Sequence, residues 1–352
     1  MKNKIYKLIA LCILVGSIVV VWFVMDYRHY ASNTIALNKI QGMRYIVSPG
    51  TSLGALADDL HEKGVINKPY WFVWMARLKN KAGKIQAGEY QIMASMTSAE
   101  LLDLMISGQV ISHSLTLVEG WTFRQMLLAI GNDEYLLHTI NDKTPAEVMA
   151  LIGAADLHPE GQFLPDTYQY SRGMTDVAFL KRAHAALQSW LDAQWQQRAP
   201  GLPFETPYEA LILASIIEKE TGLADERDKI SGVFIRRLKK RMYLQTDPTV
   251  IYGMGDNYQG NIRRKDLRAD TPYNTYTRKG LPPTPIAMPG KEAIYAALHP
   301  SSGKALYFVA RGDGSHQFSD NLRDHNNAVI KYQLRGKRRA FSSMPGNGKN
   351  TQ

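Results

Sequence analysis

The chain has 352 residues, of which 45% are hydrophobic and 10% aromatic, as in an ordinary globular protein, and its length allows two domains. It carries 42 Lys and Arg against 32 Asp and Glu, a net charge of +10. The single cysteine, Cys12, lies in an apolar run near the amino terminus, which excludes a catalytic thiol elsewhere in the chain.

The amino terminus combines positive charge with a long apolar run. Three lysines in residues 1–7 precede an uncharged run of 18 residues, 8–25. At the helical rise, this run spans about 27 Å, close to the thickness of a bilayer core. No small-residue cleavage site follows, so a permanent transmembrane anchor is predicted rather than a cleaved signal. The lysines place residues 1–7 in the cytoplasm, and the chain after a polar linker at 26–42 is exported.

The excess positive charge is clustered at residues 236–241, 263–265 and 335–339. Nucleic acid is the common partner of basic patches, but an exported domain does not meet it. An anionic wall polymer or the membrane surface is therefore the favoured partner. The alternative is that each cluster is only a solvated helix face.

Residues 43–113 predict a small α+β module. A strand at 43–47 leads through a turn into an amphipathic helix, and a second helix is rich in aromatic residues. A strand at 87–92 and a helix opened by the Thr97–Glu100 capping box complete the module. This order resembles LysM, a sugar-binding module of cell-wall proteins. The alternative is a spacer that holds the rest of the chain away from the membrane.

The stretch before Glu218 predicts a helix that is buried on every side. Thr206 and Glu209 form a capping-box pattern, and an apolar run follows at 210–217. Burial and the negative end of the helix dipole both raise a carboxyl pKa. A glutamate that titrates near neutral pH suits a general acid for glycoside cleavage. The alternative is that Glu218 and Glu220 are solvated residues of the last turn.

Other chemistries lack their motifs. The histidines at 299, 316 and 325 have no paired ligand at a metal-binding spacing, and His-Glu-x-x-His does not occur. Gly-x-Ser-x-Gly and a phosphate-binding glycine loop are also missing from the sequence. We therefore expect neither a metal site nor a cofactor.

Three further carboxylates are candidates for catalysis: Glu160, Asp166 and Asp247. Asp247 lies in a compact polar loop at 245–249, for which an Asx-turn beside the proline is the alternative reading. Tyrosine, asparagine and threonine are crowded between residues 244 and 290. Because such side chains stack on sugar rings and bond their hydroxyls and amides, this crowding favours a polar groove.

Four motifs in the second half of the chain are recognisable together: Ala214–Glu220, Leu244–Gly253, Tyr273–Tyr276 and Gly280–Pro283. With the anchor and the LysM-like module in the same order, they resemble the membrane-bound endolytic murein transglycosylases of the YceG-like family. The resemblance runs from the anchor to about residue 332. Three positions depart from the usual family pattern: Arg236, Thr284 and Met288.

The resemblance implies that Glu218 is the single catalytic acid/base. It also implies a glycan groove that is lined by Gln245, Asp247, Tyr273 and Asn274, with Glu160 in a supporting position. The reaction would cleave the bond between N-acetylmuramic acid (MurNAc) and N-acetylglucosamine (GlcNAc) within glycan strands. It would leave 1,6-anhydro-MurNAc ends and limit the elongation of nascent strands.

The predicted fold class is α+β: a transmembrane anchor, a LysM-like module at 43–113, and a mixed α/β catalytic domain at 114–334 with Glu218 near the end of a buried helix. A basic, disordered tail follows at 335–352. The resemblance places the catalytic domain in the periplasm, tethered to the bacterial inner membrane. The implied partners are peptidoglycan strands, the membrane and peptidoglycan synthases, but no nucleic acid.

Two alternative functions stay open. A muramidase would hydrolyse the same bond and would need a second carboxylate, for which Glu160 and Asp247 are the candidates. A non-catalytic scaffold would bind glycan and recruit synthesis enzymes.

Overall fold

A computed structural model describes residues 2–35 and 42–334, and these residues form two compact units. The first unit comprises the chain up to His113 together with Gln169–Met174, and the second comprises Ser114–Tyr168 and the chain from Thr175 onward. Helices predominate in the described residues, and the strands pair only in twos. The mixed α+β class predicted from the sequence is confirmed. The predicted tail at 335–352 lies outside the described residues.

The first unit begins with a long apolar helix. Its elements are α1 (Lys2–Ser32), β1 (Met43–Val47), α2 (Leu53–Glu62), α3 (Pro69–Leu78), β2 (Gly88–Ile92) and α4 (Ser98–Ser107). The α1 segment Lys4–Ser32 is long and apolar enough to cross a membrane, by length and composition. Residues 26–32, which the sequence assigned to a linker, continue this helix, and most of the rest of that linker lies outside the described residues.

The remainder of the first unit packs around the antiparallel β1–β2 pair, in which Tyr45 lies opposite Tyr90. Alternate strand residues point into a core that α2, α3 and α4 complete. The predicted capping box at Thr97 and Glu100 starts α4. The strands and helices predicted for this region are thus present, and the LysM-like identity of the module stays a prediction.

Two strands carry the chain between the units: β3 (Ser112–Thr116) and β4 (Thr167–Ser171), which pair with each other. The second unit contains the following elements: α5 (Phe123–Gly131), α6 (Pro145–Ile152), α7 (Asp176–Gln196), α8 (Pro207–Glu220), α9 (Ala224–Lys239), α10 (Asp247–Met254), α11 (Arg264–Arg268), α12 (Lys291–Leu298), β5 (Tyr307–Ala310), β6 (His316–Ser319) and α13 (Leu322–Tyr332).

Helix α8 is the centre of the second unit. Thr206 and Glu209 form the predicted capping box, and residues 210–217 are all buried. The helix packs against α7, α9, α10 and α12, which explains why its sequence is apolar all round. It ends at Glu220, after which Thr221 is extended. The acidic residues of the last turn therefore lie at the end of a helix that its neighbours surround.

The segment 245–249 differs from the sequence prediction. Asp247 is the first residue of α10, and Pro248 occupies the first turn, where a missing N–H costs no hydrogen bond. The predicted polar loop is therefore a helix start. Helix α11 also lies between residues 244 and 290, where the sequence indicated only a polar groove.

Candidate active site

Glu218 lies in the last turn of α8, and its side chain is only 7% exposed. One carboxyl oxygen, Oε2, accepts a hydrogen bond of 3.0 Å from the backbone N–H of Gly290, the residue that precedes α12. The other, Oε1, is 3.9 Å from a guanidinium nitrogen of Arg227 in the first turn of α9. The alternative that Glu218 is a solvated surface residue is therefore wrong.

The loop at 119–121 and the chain segment that leads to Gly290 lie beside the Glu218 carboxyl group. Glu119 shares Arg227 with Glu218, since its Oε2 is also 3.9 Å from the guanidinium. The backbones of Gly120 and Trp121 hydrogen-bond with Met288 in both directions, at 2.9 and 2.7 Å. These bonds fix the 119–121 loop against the chain that leads to Gly290. The approach is close: a Cβ at Gly290 would fall 1.9 Å from the Glu119 carboxylate.

The pKa of Glu218 is raised above its ordinary value. Burial is the largest cause, because it disfavours the charged carboxylate, and the nearby Glu119 charge acts in the same direction. The Gly290 N–H, Arg227 and Lys219 act in the opposite direction. The group is thus protonated more readily than a solvated glutamate, while the Gly290 N–H remains available to its ionised form.

Glu220 is a buried carboxyl group that was not predicted from the sequence as a site residue. Two residues along a helix rotate a side chain by about 200°, so Glu220 and Glu218 point to different sides of α8. The Thr246 hydroxyl donates a hydrogen bond to Glu220 Oε1. Burial of the carboxyl raises its pKa to about 7. Its hydrogen-bond partner lies 26 positions away along the chain, a pairing that no local pattern reveals.

Glu220 borders a cavity of about 350 Å³. The polar residues around the cavity are Glu220, Arg237, Gln245, Asp247, Tyr276, Tyr307, His316, His325 and Gln333. Gln245 adopts a left-handed backbone conformation with φ of 51°, which is uncommon for a residue other than glycine. The structure therefore brings two of the predicted groove residues together with Glu220.

The segment 273–276 holds this side of the cavity in place. Tyr276 donates a hydrogen bond of 2.6 Å to Asp247, and the Gln245 N–H donates to the Thr275 carbonyl at 3.1 Å. Asn274 is 1% exposed, and its amide donates to the carbonyls of residues 266, 267 and 269. Its predicted role in lining a groove stays a prediction, and its burial favours a supporting position.

Glu160 forms a separate buried group with two tyrosines. Its carboxylate accepts the Phe123 N–H at 2.9 Å and the Tyr252 hydroxyl at 3.1 Å. The Tyr252 ring packs edge-on against Tyr273, with centroids 4.9 Å apart, and the Tyr273 hydroxyl contacts the Thr284 hydroxyl at 2.9 Å. Burial raises the pKa of Glu160 to about 7.

Asp166, another candidate carboxylate from the sequence, differs from Glu160 and Glu218 in its exposure and in the direction of its pKa shift. It forms a half-exposed ion pair of 3.1 Å with Lys291, whose hydrogen bond lowers the pKa of the carboxyl. It therefore stays ionised near neutral pH and is a poor candidate for a general acid. Among the described residues, no hydrogen bond or ion pair joins Glu218 to Glu160, Asp166 or Asp247.

Arg227 is a further site residue that was not predicted from the sequence. It lies one turn into α9, which follows α8 after only three residues. Such a short connection returns the first turn of α9 to the last turn of α8, and this signal could have indicated the pairing with Glu218.

Arg236, one of the three positions that depart from the family pattern, donates to the carbonyls of Ala305 and Ser301 at 2.7 and 3.1 Å. The described residues contain no cluster of His, Cys, Asp and Glu that could hold a metal ion.

The two carboxyl groups with a pKa of about 7 predict a pH-dependent stability. Each is raised from 4.5 by burial, so its contribution is fully present below pH 4.5 and is lost as pH rises through 7. We expect the melting temperature of the detergent-solubilised chain to fall between pH 5 and 8. In the double variant Glu160→Gln, Glu220→Gln the amides stay neutral, so its melting temperature should fall less over this pH range. Equal losses in this variant and in the exposed control Glu134→Gln would contradict the assignment.

Comparisons with known proteins identify the family of this chain. The model of the YceG-like family matches residues 45–331. A Bacillus subtilis protein named endolytic murein transglycosylase is 31% identical over 308 residues, which cover 81% of this chain and 83% of the relative. A Streptococcus pneumoniae protein of the same name is 26% identical, over 81% of this chain and 57% of its own length.

A solved structure supports the same relationship. The crystal structure of a YceG-like protein from Listeria monocytogenes is 28% identical in sequence and aligns with a TM-score of 0.51. The alignment covers 82% of this chain and 99% of the Listeria chain.

Proposed function

Because the chain belongs to the YceG-like family, we propose that it is an endolytic murein transglycosylase, a lyase that cleaves the MurNAc–GlcNAc bond within peptidoglycan strands. The observation that carries this function is the setting of Glu218. It is a buried carboxyl group with a raised pKa, which accepts the Gly290 N–H and lies next to Arg227. A transglycosylase needs one acid/base, whereas a hydrolase usually needs two.

The reaction follows from one carboxyl group that changes its protonation state. Protonated Glu218 donates its proton to the glycosidic oxygen as the bond to the muramoyl C1 breaks. The neighbouring N-acetyl group stabilises the electron-poor C1. Ionised Glu218 then accepts the proton of the C6 hydroxyl, whose oxygen bonds to C1 and closes the 1,6-anhydro ring. Atoms balance without water, and the carboxyl group returns to its starting state.

The surroundings of Glu218 suit this cycle. Burial favours the protonated form that starts the reaction. The Gly290 N–H and the Arg227 guanidinium stabilise the carboxylate that exists between the two proton transfers. These influences oppose each other, so the site has groups that stabilise each of the two protonation states.

The cavity beside Glu220 provides a polar site for further sugars of the strand, on another side of α8 from Glu218. Gln245 and Asp247 line it and present polar groups that bond hydroxyls and acetamides. Asn274 and Tyr273 act behind this surface, since Asn274 holds the 266–269 turn and Tyr273 contacts Thr284. Glu160 supports the start of α5 and the Tyr252 ring.

The proposed organisation includes the parts outside this site. The α1 segment at 8–25 anchors the chain in the bacterial inner membrane, with residues 1–7 in the cytoplasm. The LysM-like module at 43–113 and the catalytic domain at 114–334 then lie in the periplasm. There the enzyme would limit the elongation of nascent strands beside peptidoglycan synthases.

The muramidase alternative requires a second carboxylate next to the cleaved bond. Glu160 already accepts hydrogen bonds on both oxygens, and Asp247 borders the cavity of Glu220. Glu119, which shares Arg227 with Glu218, is a carboxylate beside it, so the chemical form of the cleaved end distinguishes the muramidase from the transglycosylase.

Digestion of purified glycan strands by the detergent-solubilised chain tests the proposal. We expect fragments of intermediate length early in the reaction, because an endolytic enzyme cuts within strands. Disaccharides as the first product would reject the endolytic mode, and intact strands would favour the non-catalytic scaffold. Chromatographic sizing of the fragments distinguishes these results.

A further inference from the structure

Helix α3 presents an aromatic and aliphatic face that the rest of its unit leaves uncovered. Tyr70, Trp74 and Leu78 are 53%, 48% and 60% exposed. Because they are spaced by four residues, they lie along one side of the helix. The opposite side of α3 is buried in the core of the first unit through Trp71, Phe72, Met75 and Ala76.

The same helix contacts α1 where the apolar run ends. The Phe23 ring centroid is 4.5 Å from that of Trp71 and 6.1 Å from that of Trp74. Three residues later, Asp26 accepts hydrogen bonds from Lys68 at 2.6 Å and from the Trp71 indole N–H at 2.8 Å. Asp26 is the first charged residue after the run.

These contacts fix the depth of α3 relative to the transmembrane segment. If 8–25 spans the hydrocarbon core, Phe23 lies close to its outer boundary and Asp26 lies in the headgroup region. Trp74, which contacts Phe23, then lies at the boundary between acyl chains and headgroups. Tryptophan and tyrosine are enriched at this level because each ring has an apolar body and a polar edge.

The charge of the exposed face agrees with this position. Arg77 is exposed, and it follows Tyr70 by seven residues and Trp74 by three, so it lies on the same side of the helix. An arginine there reaches the phosphate groups of lipids while the aromatic residues enter the interface. A short helix with this distribution of residues is typical of elements that lie flat on a membrane surface.

We propose that α3 docks onto the outer interface of the same phospholipid membrane that holds α1. Tyr70, Trp74 and Leu78 enter the boundary between headgroups and acyl chains, and Arg77 binds lipid phosphate. The first unit then rests on the bilayer instead of hanging from a flexible tether. This docking rests on the proposed anchor, and it assigns to α3 a function that the glycan chemistry does not use.

Fluorescence quenching in vesicles tests the docking. Cys12→Ser removes the only cysteine of the chain, so a single new cysteine can carry an environment-sensitive dye. Full-length Trp74→Cys protein is labelled and reconstituted into phosphatidylethanolamine–phosphatidylglycerol vesicles with spin-labelled lipid. Ile46→Cys is the matched control, because Ile46 is 51% exposed and apolar but lies on the far face of the β1–β2 pair. Val19→Cys reports on the anchor itself.

We expect a blue-shifted emission and quenching at positions 19 and 74, and neither effect at position 46. Quenching at 19 without quenching at 74 would refute the docking and leave the anchor intact. Absence of quenching at both positions would refute the anchor, and with it the docking. The emission of the dye at position 74 could instead respond to added soluble glycan but not to the spin-labelled lipid. This result would refute the docking and show that the exposed face of α3 binds sugar.

Discussion

Replacement of Glu218 by Gln is expected to lower the rate of glycan cleavage by about 10²–10⁴-fold, the usual contribution of a general acid/base. Glutamine keeps the size of the side chain, and its carbonyl oxygen can still accept the Gly290 N–H. It cannot donate a proton to the glycosidic oxygen or accept one from the C6 hydroxyl. Initial rates of strand cleavage, measured on detergent-solubilised protein, give the effect directly.

Glu209→Gln is the matched control for this experiment. Glu209 lies on the same helix, at the opposite end, and glutamine can replace glutamate in a capping box. We expect this variant to keep the activity and the melting temperature of the parent chain. Near-normal activity in Glu218→Gln would move the acid/base role to Glu220, Glu160 or Asp247. Loss of the folded state in that variant would indicate a structural role instead.

Replacement of Gly161 by Ala is expected to destabilise the chain by about 2–5 kcal/mol, from an unfavourable backbone conformation and an overpacked contact. Gly161 has a φ of 77°, and a Cβ there would fall 2.5 Å from the Cβ of Pro285. Pro285 belongs to the segment that continues to Gly290 and the Glu218 carboxyl. Urea unfolding followed by tryptophan fluorescence measures the loss.

Gly201→Ala separates the two causes. Gly201 has a similar φ of 68°, but no atom lies within 4 Å of its added Cβ. This control should show only the backbone cost, about 1–2 kcal/mol. Equal losses in the two variants would show that the packing of the Glu160–Gly161 turn against Pro285 contributes nothing to stability.

The elements that the sequence predicted correctly are those whose signals are local. Thr206 and Glu209 cap α8 through residues three positions apart, and the apolar run at 210–217 requires only that neighbours surround the helix. The apolar run of α1 is equally local. The burial of Glu218 and the direction of its pKa shift follow from its place in this helix, and both agree with the structure.

The features that the sequence did not reveal depend on distant residues. Glu220 bonds Thr246 and borders a cavity that β5 and β6 also line, and Asp247 starts a helix where the local composition indicated a loop. Gly290 reaches Glu218 from 72 positions away. Such pairings depend on how helices pack, and single-sequence periodicity carries no information about that.

The chemical form of the cleaved end tests the central claim most directly. If Glu218 acts alone, the C6 hydroxyl attacks in preference to water, because it is held next to C1 in the same sugar. Mass spectrometry of the muramoyl ends should then show the 1,6-anhydro form, lighter than the hydrated form by one water. Hydrated ends as the main product would contradict the transglycosylase mechanism and favour a muramidase with a second carboxylate.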